Sequence, residues 1–127
     1  MRENAVEEML QQKIWAVMGV SRDKNKFGYR VYKKLLAKGY IAYPVNPNMT
    51  EVDSRKCYPN LKELPQVPEV VCFVVPPGVT RVVVEECKKL GVKYLWMQPG
   101  SMDPEAVKSA EAAGLTVIYD VCVLQLA

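Results

Sequence analysis

The sequence predicts an α/β fold, a doubly wound sheet of about five parallel strands with helices on both faces. Three observations predict it. Short apolar runs, β-branched and aliphatic, recur along the chain, as strands buried on both faces require. Between them lie segments whose apolar residues recur at helical spacing. Several of these segments end on a glycine that opens the next apolar run, at Lys38-Gly39-Tyr40, Leu90-Gly91-Val92 and Ala113-Gly114-Leu115. Glycine there supplies the left-handed residue that closes a helix. Alternation of this kind, joined by right-handed crossovers, builds a parallel sheet.

The elements follow in order. Residues from about Glu3 to Gln12 read as a leading helix, and Lys13–Met18 as the first strand. The strand runs into Gly19, crosses the polar stretch Arg22-Asp23-Lys24-Asn25-Lys26, and restarts as a helix from Gly28 to Lys38 with Val31, Leu35 and Leu36 on one face. Ile41–Val45 is the second strand. The long connection from Asn46 to Glu69 holds four prolines, Pro47, Pro59, Pro65 and Pro68, and a helical turn near Leu61–Leu64. Val70–Val75 is the third strand, followed by a helix whose buried face is read as Val79, Val82, Val83, Cys87 and Leu90. Val92–Trp96 is the fourth. The last helix opens with Asp103 as cap and Pro104 as first helical residue, and turns Ala106, Val107, Ala110 and Ala113 inward. Leu115–Tyr119 is the fifth strand.

Length and composition bound the function. A chain of 127 residues forms one domain, 1–127, with its own core and the leading helix at 1–12. Seventeen basic side chains against 14 acidic ones give a net charge of +3, too mild and too dispersed to indicate nucleic acid. The longest apolar run, Val70 to Pro77, is far short of a membrane span, and no export signal is evident, so the expected location is cytoplasmic. The four cysteines, Cys57, Cys72, Cys87 and Cys122, form no paired motif and no histidine accompanies them, so no metal site is expected. The lack of histidine also removes the commonest general base near neutral pH and any phosphohistidine chemistry. No catalytic residue is assigned.

In such sheets ligands lie beyond the carboxyl ends of the strands. Five segments should meet there: Gly19–Phe27, Pro44–Pro47, Pro76–Gly78, Gln98–Ser101 and Asp120–Cys122. The first is the strand–loop–helix arrangement of a phosphate-binding turn, where glycine lets the backbone approach and the helix start offers amides. That implies a nucleotide-type ligand. A nicotinamide dinucleotide is disfavoured, because Gly19 is followed by no second glycine until Gly28, and the second strand ends Val45-Asn46-Pro47 without the acid that grips the adenosine ribose.

The chain resembles the small coenzyme A-binding proteins whose single domain is similar to the amino-terminal domain of the succinyl-CoA synthetase α subunit. The resemblance rests on Gly19-Val20-Ser21-Arg22-Asp23, Gly39-Tyr40, Tyr43-Pro44-Val45-Asn46-Pro47, Tyr58-Pro59-Asn60-Leu61, Trp96-Met97-Gln98-Pro99-Gly100, and Ala113-Gly114-Leu115 leading to Tyr119-Asp120-Val121-Cys122, and covers residue 13 onward. It implies a Rossmann-like sheet with coenzyme A (CoA) as the ligand. Gly19, Val20 and Ser21 would approach the ADP phosphates by backbone, and Arg22 or Lys26 would neutralise them, with Lys24 in the same loop. Asn46 and Pro47 would border the nucleotide, Val75, Pro76 and Pro77 would flank the pantetheine path, and Gln98 and Gly100 would lie further along. The family's closing triplet carries a basic residue where this chain has Val121.

Some residues carry two readings. Ser21 either donates to a phosphate or caps its own turn. Cys122 is either a thiol that exchanges with CoA disulfide or a small buried hydrophobe. Asp120 is either an acidic group in the cleft or, as favoured, a cap for amides at the strand end; Trp96 either packs in the core, as favoured, or walls a pocket. Cys72 and Cys87 are expected to be core residues. The expected function is binding of CoA or an acyl-CoA at the carboxyl edge, without catalysis. The alternatives are an enzyme acting on a CoA thioester or using a nicotinamide cofactor, and a CoA-responsive regulatory module. A homodimer or another protein partner remains open.

Overall fold

The computed structural model describes residues 4–125. Its sheet has five strands, all parallel: β1 (Ile14–Met18), β2 (Ile41–Val45), β5 (Val70–Phe73), β6 (Tyr94–Met97) and β7 (Thr116–Tyr119), ordered β2-β1-β5-β6-β7. A two-stranded antiparallel hairpin, β3 (Glu51–Val52) with β4 (Arg55–Lys56), projects from the long connection. The helices are α1 (Ala5–Leu10), α2 (Phe27–Ala37), α3 (Pro77–Leu90) and α4 (Pro104–Ala112), with 3₁₀ turns at Leu61–Glu63 and Val123–Gln125.

Alternate strand residues divide the core into two halves, as the twofold period of a strand requires. Trp15, Val17, Val70, Cys72, Trp96 and Ile118 pack with Ala5, Met9, Val31, Tyr32 and Leu35 from α1 and α2. Ala16, Met18, Val71, Phe73, Leu95, Met97 and Val117 pack with Val84, Cys87, Ala106, Val107 and Ala110 from α3 and α4. The sheet is therefore covered on both faces, as the sequence predicts. Trp15 and Trp96 pack 5.9 Å apart across neighbouring layers of the first half. Their indole N–H groups donate to the carbonyls of Gln12 and Val121. Gly39, Gly91 and Gly114 all have positive φ, +91°, +83° and +83°, so each closes its helix as expected.

The elements differ from the sequence reading in several respects. The leading helix is shorter, starting at Ala5; Glu3, its expected first residue, lies outside the described residues. β5 stops at Phe73, and β6 and β7 begin one or two residues late. The hairpin was not anticipated, whereas the helical turn near Leu61 is present and is capped by Asn60, whose side chain accepts from the Glu63 amide.

The expected inner face of α3 is wrong at two positions: Val79 and Val82 are 41% and 71% exposed, and the buried residues are Thr80, Val84 and Cys87. Three consecutive valines, Val82 to Val84, leave the helical phase undetermined from spacing alone, and packing against α4 selects Val84. Ala113 is also exposed, because it follows the last residue of α4 as its cap rather than belonging to its inner face.

The carboxyl edge and its two cavities

The chain runs from β1 outward to β2, then returns across β1 to β5, so the order of strands reverses between β1 and β5. A crevice opens where such a reversal occurs. Gly19 leaves β1 there at φ +93°, with its amide donating to the Val45 carbonyl at 3.0 Å. A Cβ on Gly19 would collide with the Val74 carbonyl oxygen, and one on Gly28 would collide with the Gly19 carbonyl oxygen. The start of α2 thus sits directly on the end of β1.

The loop between them organises itself. The Ser21 hydroxyl accepts from the Asp23 amide at 3.0 Å, and the Asp23 carboxylate accepts from the Asn25 amide at 2.9 Å. Ser21 therefore caps its own turn. The backbone amides of Val20, Ser21 and Arg22 have no protein acceptor among the described residues. The first turn of α2 adds amides that a helix leaves without internal acceptors, and no side chain caps it. Arg22 and Lys26 are exposed and have no ion-pair partner among the described residues. Lys24 helps hold the Asp53 carboxyl below its ordinary range, behind hydrogen bonds from Lys33 and Tyr29.

Two cavities open on this edge. The first, about 340 Å³, is lined by Met18 and Gly19, by Asn46 and Pro47 after β2, by Pro59 and Asn60, and by Val75, Val79, Val83 and Glu86. Asn46 spans the crevice: its Nδ2 donates to the Val20 carbonyl at 2.8 Å and its Oδ1 accepts from the Asn48 amide. Glu86 is the carboxylate on this wall, and its Oε1 accepts from the Leu61 amide at 3.2 Å. The second cavity, about 250 Å³, is lined by Phe27, Val74, Gln98, Pro99, Cys122 and Gln125. Gln98 is only 2% exposed; it accepts from the Val123 amide at 2.8 Å and donates to Cys122 Sγ at 3.3 Å.

Of the residues singled out from sequence, the structure brings Gly19, Asn46, Pro47 and Val75 together in the first cavity and Gln98 with Cys122 in the second. Ser21, Arg22 and Lys26 line neither cavity; they lie in the loop between Gly19, which lines the first, and Phe27, which lines the second. Val20 is fully buried and reaches the edge only through its backbone. Pro76 caps α3 and Pro77 is its first residue; both are exposed and line neither cavity. Gly100, at φ +92°, lets the turn after β6 close so that Ser101 Oγ accepts from the Val75 amide.

Asp120 does not cap anything: it is exposed, at φ +63°, and makes no hydrogen bond among the described residues. Burial pushes the Cys72 thiol up, and pushes the Cys87 thiol up to about 12, which fits two core residues.

Sequence reasoning missed Val79 and Val83 as cavity walls because they were read by helical phase alone, and it did not single out Glu86. It did single out Pro59 and Asn60 within a motif without assigning them a place. The described residues contain no group of three or more His, Cys, Asp or Glu that could hold a metal, and no helix long and apolar enough to cross a membrane.

An open parallel sheet with a crevice at its reversal point and free amides beside it defines a parallel α/β protein with its ligand edge at the strands' carboxyl ends. The sequence matches the CoA binding domain family over residues 13–126, and the chain belongs to that family. It is 30% identical over 106 residues to acetate–CoA ligase (ADP-forming) II of Archaeoglobus fulgidus, covering 82% of this chain but 16% of the ligase, so it spans about a sixth of that relative's length. It is 30% identical over 119 residues to the uncharacterized protein YneT of Bacillus subtilis, covering 93% of this chain and 88% of YneT. A hypothetical protein from Pyrococcus horikoshii OT3 superposes with a TM-score of 0.91 at 37% identity, over 97% of this chain and 87% of the other.

Proposed function

We propose that this domain binds CoA or an acyl-CoA, held over the carboxyl edge of the sheet, without catalysis of its own. The observation that carries the reading is the set of unsatisfied amides at Val20, Ser21 and Arg22 beside the uncapped start of α2. Amides grouped this way suit a pyrophosphate, and the unpaired Arg22 and Lys26 suit its charge. On this reading Gly19, Val20 and Ser21 meet the phosphates, Asn46 and Pro47 border the nucleotide, Val75, Pro76 and Pro77 flank the pantetheine, and Gln98 and Gly100 lie beyond. Asn46 already spends its side chain on Val20 and Asn48, so it offers no substitute for the ribose-gripping acid of a dinucleotide site. Arg22 and Lys26 take over from the basic residue that Val121 replaces.

The same reading assigns Cys122 a reaction with CoA disulfide. Its thiolate attacks one sulfur, the disulfide breaks, and free CoA leaves as a thiolate that takes up a proton. All four cysteines are free, which suits a reducing cytoplasm. Mass spectrometry after incubation with CoA disulfide should find one adduct, at Cys122; an unmodified Cys122 removes this part.

Thermal unfolding with CoA, dephospho-CoA, acetyl-CoA, NAD, NADP and ATP tests the main proposal. A ligand at ~100 times its dissociation constant stabilises by about 2.7 kcal/mol, a shift on the order of 10 °C for a domain of this size. The expected result is a shift with CoA and none with NAD. A shift with NAD or NADP alone overturns it.

A further inference from the structure

We infer that the second cavity is an acyl subsite: it takes a short aliphatic acyl group carried on the CoA sulfur, and Gln98 donates a hydrogen bond to the thioester carbonyl. The inference rests on the CoA-binding reading above and names the ligand class within it.

Lining and position separate the roles of the two cavities. Sites for drug-sized ligands run from about 300 to 1,000 Å³. The first cavity, at about 340 Å³, falls at the lower end of that range and opens towards Asn46 and Pro47. The second, at about 250 Å³, has Phe27, Val74 and Pro99 in its lining and room for a short chain. They adjoin through consecutive residues, Val75 lining one and Val74 the other. Phe27, at the mouth of the second, follows directly on the loop that carries the free amides. A ligand with its phosphates at that loop and an arm crossing the end of β5 arrives at this cavity.

The lining matches an acyl thioester. Phe27, Val74 and Pro99 supply apolar walls, and Phe27 is 56% exposed in the absence of anything covering it. Gln98 is fixed in one orientation. The Val123 amide donates to its Oε1, so a flipped amide would set N–H against N–H. Its Nε2 therefore faces Cys122, whose sulfur is a weak acceptor for one of two hydrogens. The other hydrogen has no acceptor among the described residues, although the side chain is almost wholly buried. A buried amide donor without an acceptor in an apolar cavity calls for an oxygen on the ligand. A thioester carbonyl supplies one where the free CoA thiol does not.

Calorimetric titration of the intact protein with CoA, butyryl-CoA, S-butyl-CoA and decanoyl-CoA tests this. Butyryl-CoA should bind on the order of tenfold tighter than CoA, from burial of its chain. S-butyl-CoA, which lacks the carbonyl, should lose part of that advantage, and decanoyl-CoA, too long for the cavity, most of it. Gln98→Glu keeps an oxygen for the Val123 amide and removes the donor, and Val74→Phe fills the cavity. In each, the ratio of butyryl-CoA to CoA affinity should fall towards one, and if Gln98→Glu does not fold, Val74→Phe and S-butyl-CoA decide. Equal affinity of wild type for CoA and butyryl-CoA, or an advantage that survives Val74→Phe, overturns the subsite while leaving CoA binding intact. Failure of CoA itself to bind overturns the underlying reading and this inference together.

Discussion

Gly19 and Gly28 act as a pair. Each lies where a Cβ would strike backbone rather than a movable side chain, and Gly19 also needs its positive φ. Gly28→Ala should therefore destabilise by ~3 kcal/mol in denaturant titration, from forced separation of α2 and β1. It should also weaken CoA binding, since the free amides move with α2. The glycine at the end of β1 was legible in the sequence; its contact with Gly28 was not, because it depends on how a helix settles on a strand. Thr80 is the opposite case. It is fully buried and its hydroxyl has no partner among the described residues. Thr80→Val keeps the shape and removes the unmet hydroxyl, so it should gain about 1 kcal/mol, read by the same titration.

At the scale of elements, the hairpin between β2 and β5 turns through Asp53 and Ser54, both with positive φ, at +49° and +65°. Such two-residue turns favour glycine at the second position. Ser54→Gly should stabilise by roughly 0.5–1 kcal/mol, the left-handed cost to serine less the entropy cost of glycine. The hairpin is docked by Asp53, which accepts from Tyr29 Oη at 2.8 Å and Lys33 Nζ at 2.9 Å on α2. Across the sheet, Arg81 of α3 grips Asp103 through two nitrogens at 2.8 and 3.0 Å while Asp103 caps α4 at the Ala106 amide. The Arg81 hydrogen bonds, aided by that amide, hold the Asp103 carboxyl below its ordinary value.

A carboxyl lowered in the folded state contributes stability that is present above its unfolded value and is lost as pH falls through the folded one. Melting temperature should therefore drop below about pH 4, near the unperturbed aspartate value. Asp103→Asn should flatten that part of the profile and lower the melting temperature at neutral pH. The cap itself was legible as Asp103-Pro104, but the arginine that holds it was not, since Arg81 and Asp103 meet only when α3 and α4 pack side by side.

For the whole molecule, the strand order β2-β1-β5-β6-β7 sets the ligand edge, since it puts the reversal between β1 and β5. With Arg22 and Lys26 exposed and unpaired among the described residues in the loop after β1, CoA affinity should fall several-fold as ionic strength rises from about 0.05 to 0.5 M. Titration at the two salts checks this, and Arg22→Ala with Lys26→Ala should remove most of the dependence.

Local chemistry alone determined the class of fold, the five strands of the parallel sheet, the glycine-closed helices and the segments that follow those strands. These follow from residue type and period, which act within a few positions of the chain. Only the tertiary structure decided which valine of α3 faces inward, that Asp120 caps no amide among the described residues, that a hairpin rises from the proline-rich connection, and that the edge holds two cavities. The clearest cases depend on contacts between segments distant in sequence: a helix phase chosen by its neighbour, and a buried glutamine locked by the chain that follows β7.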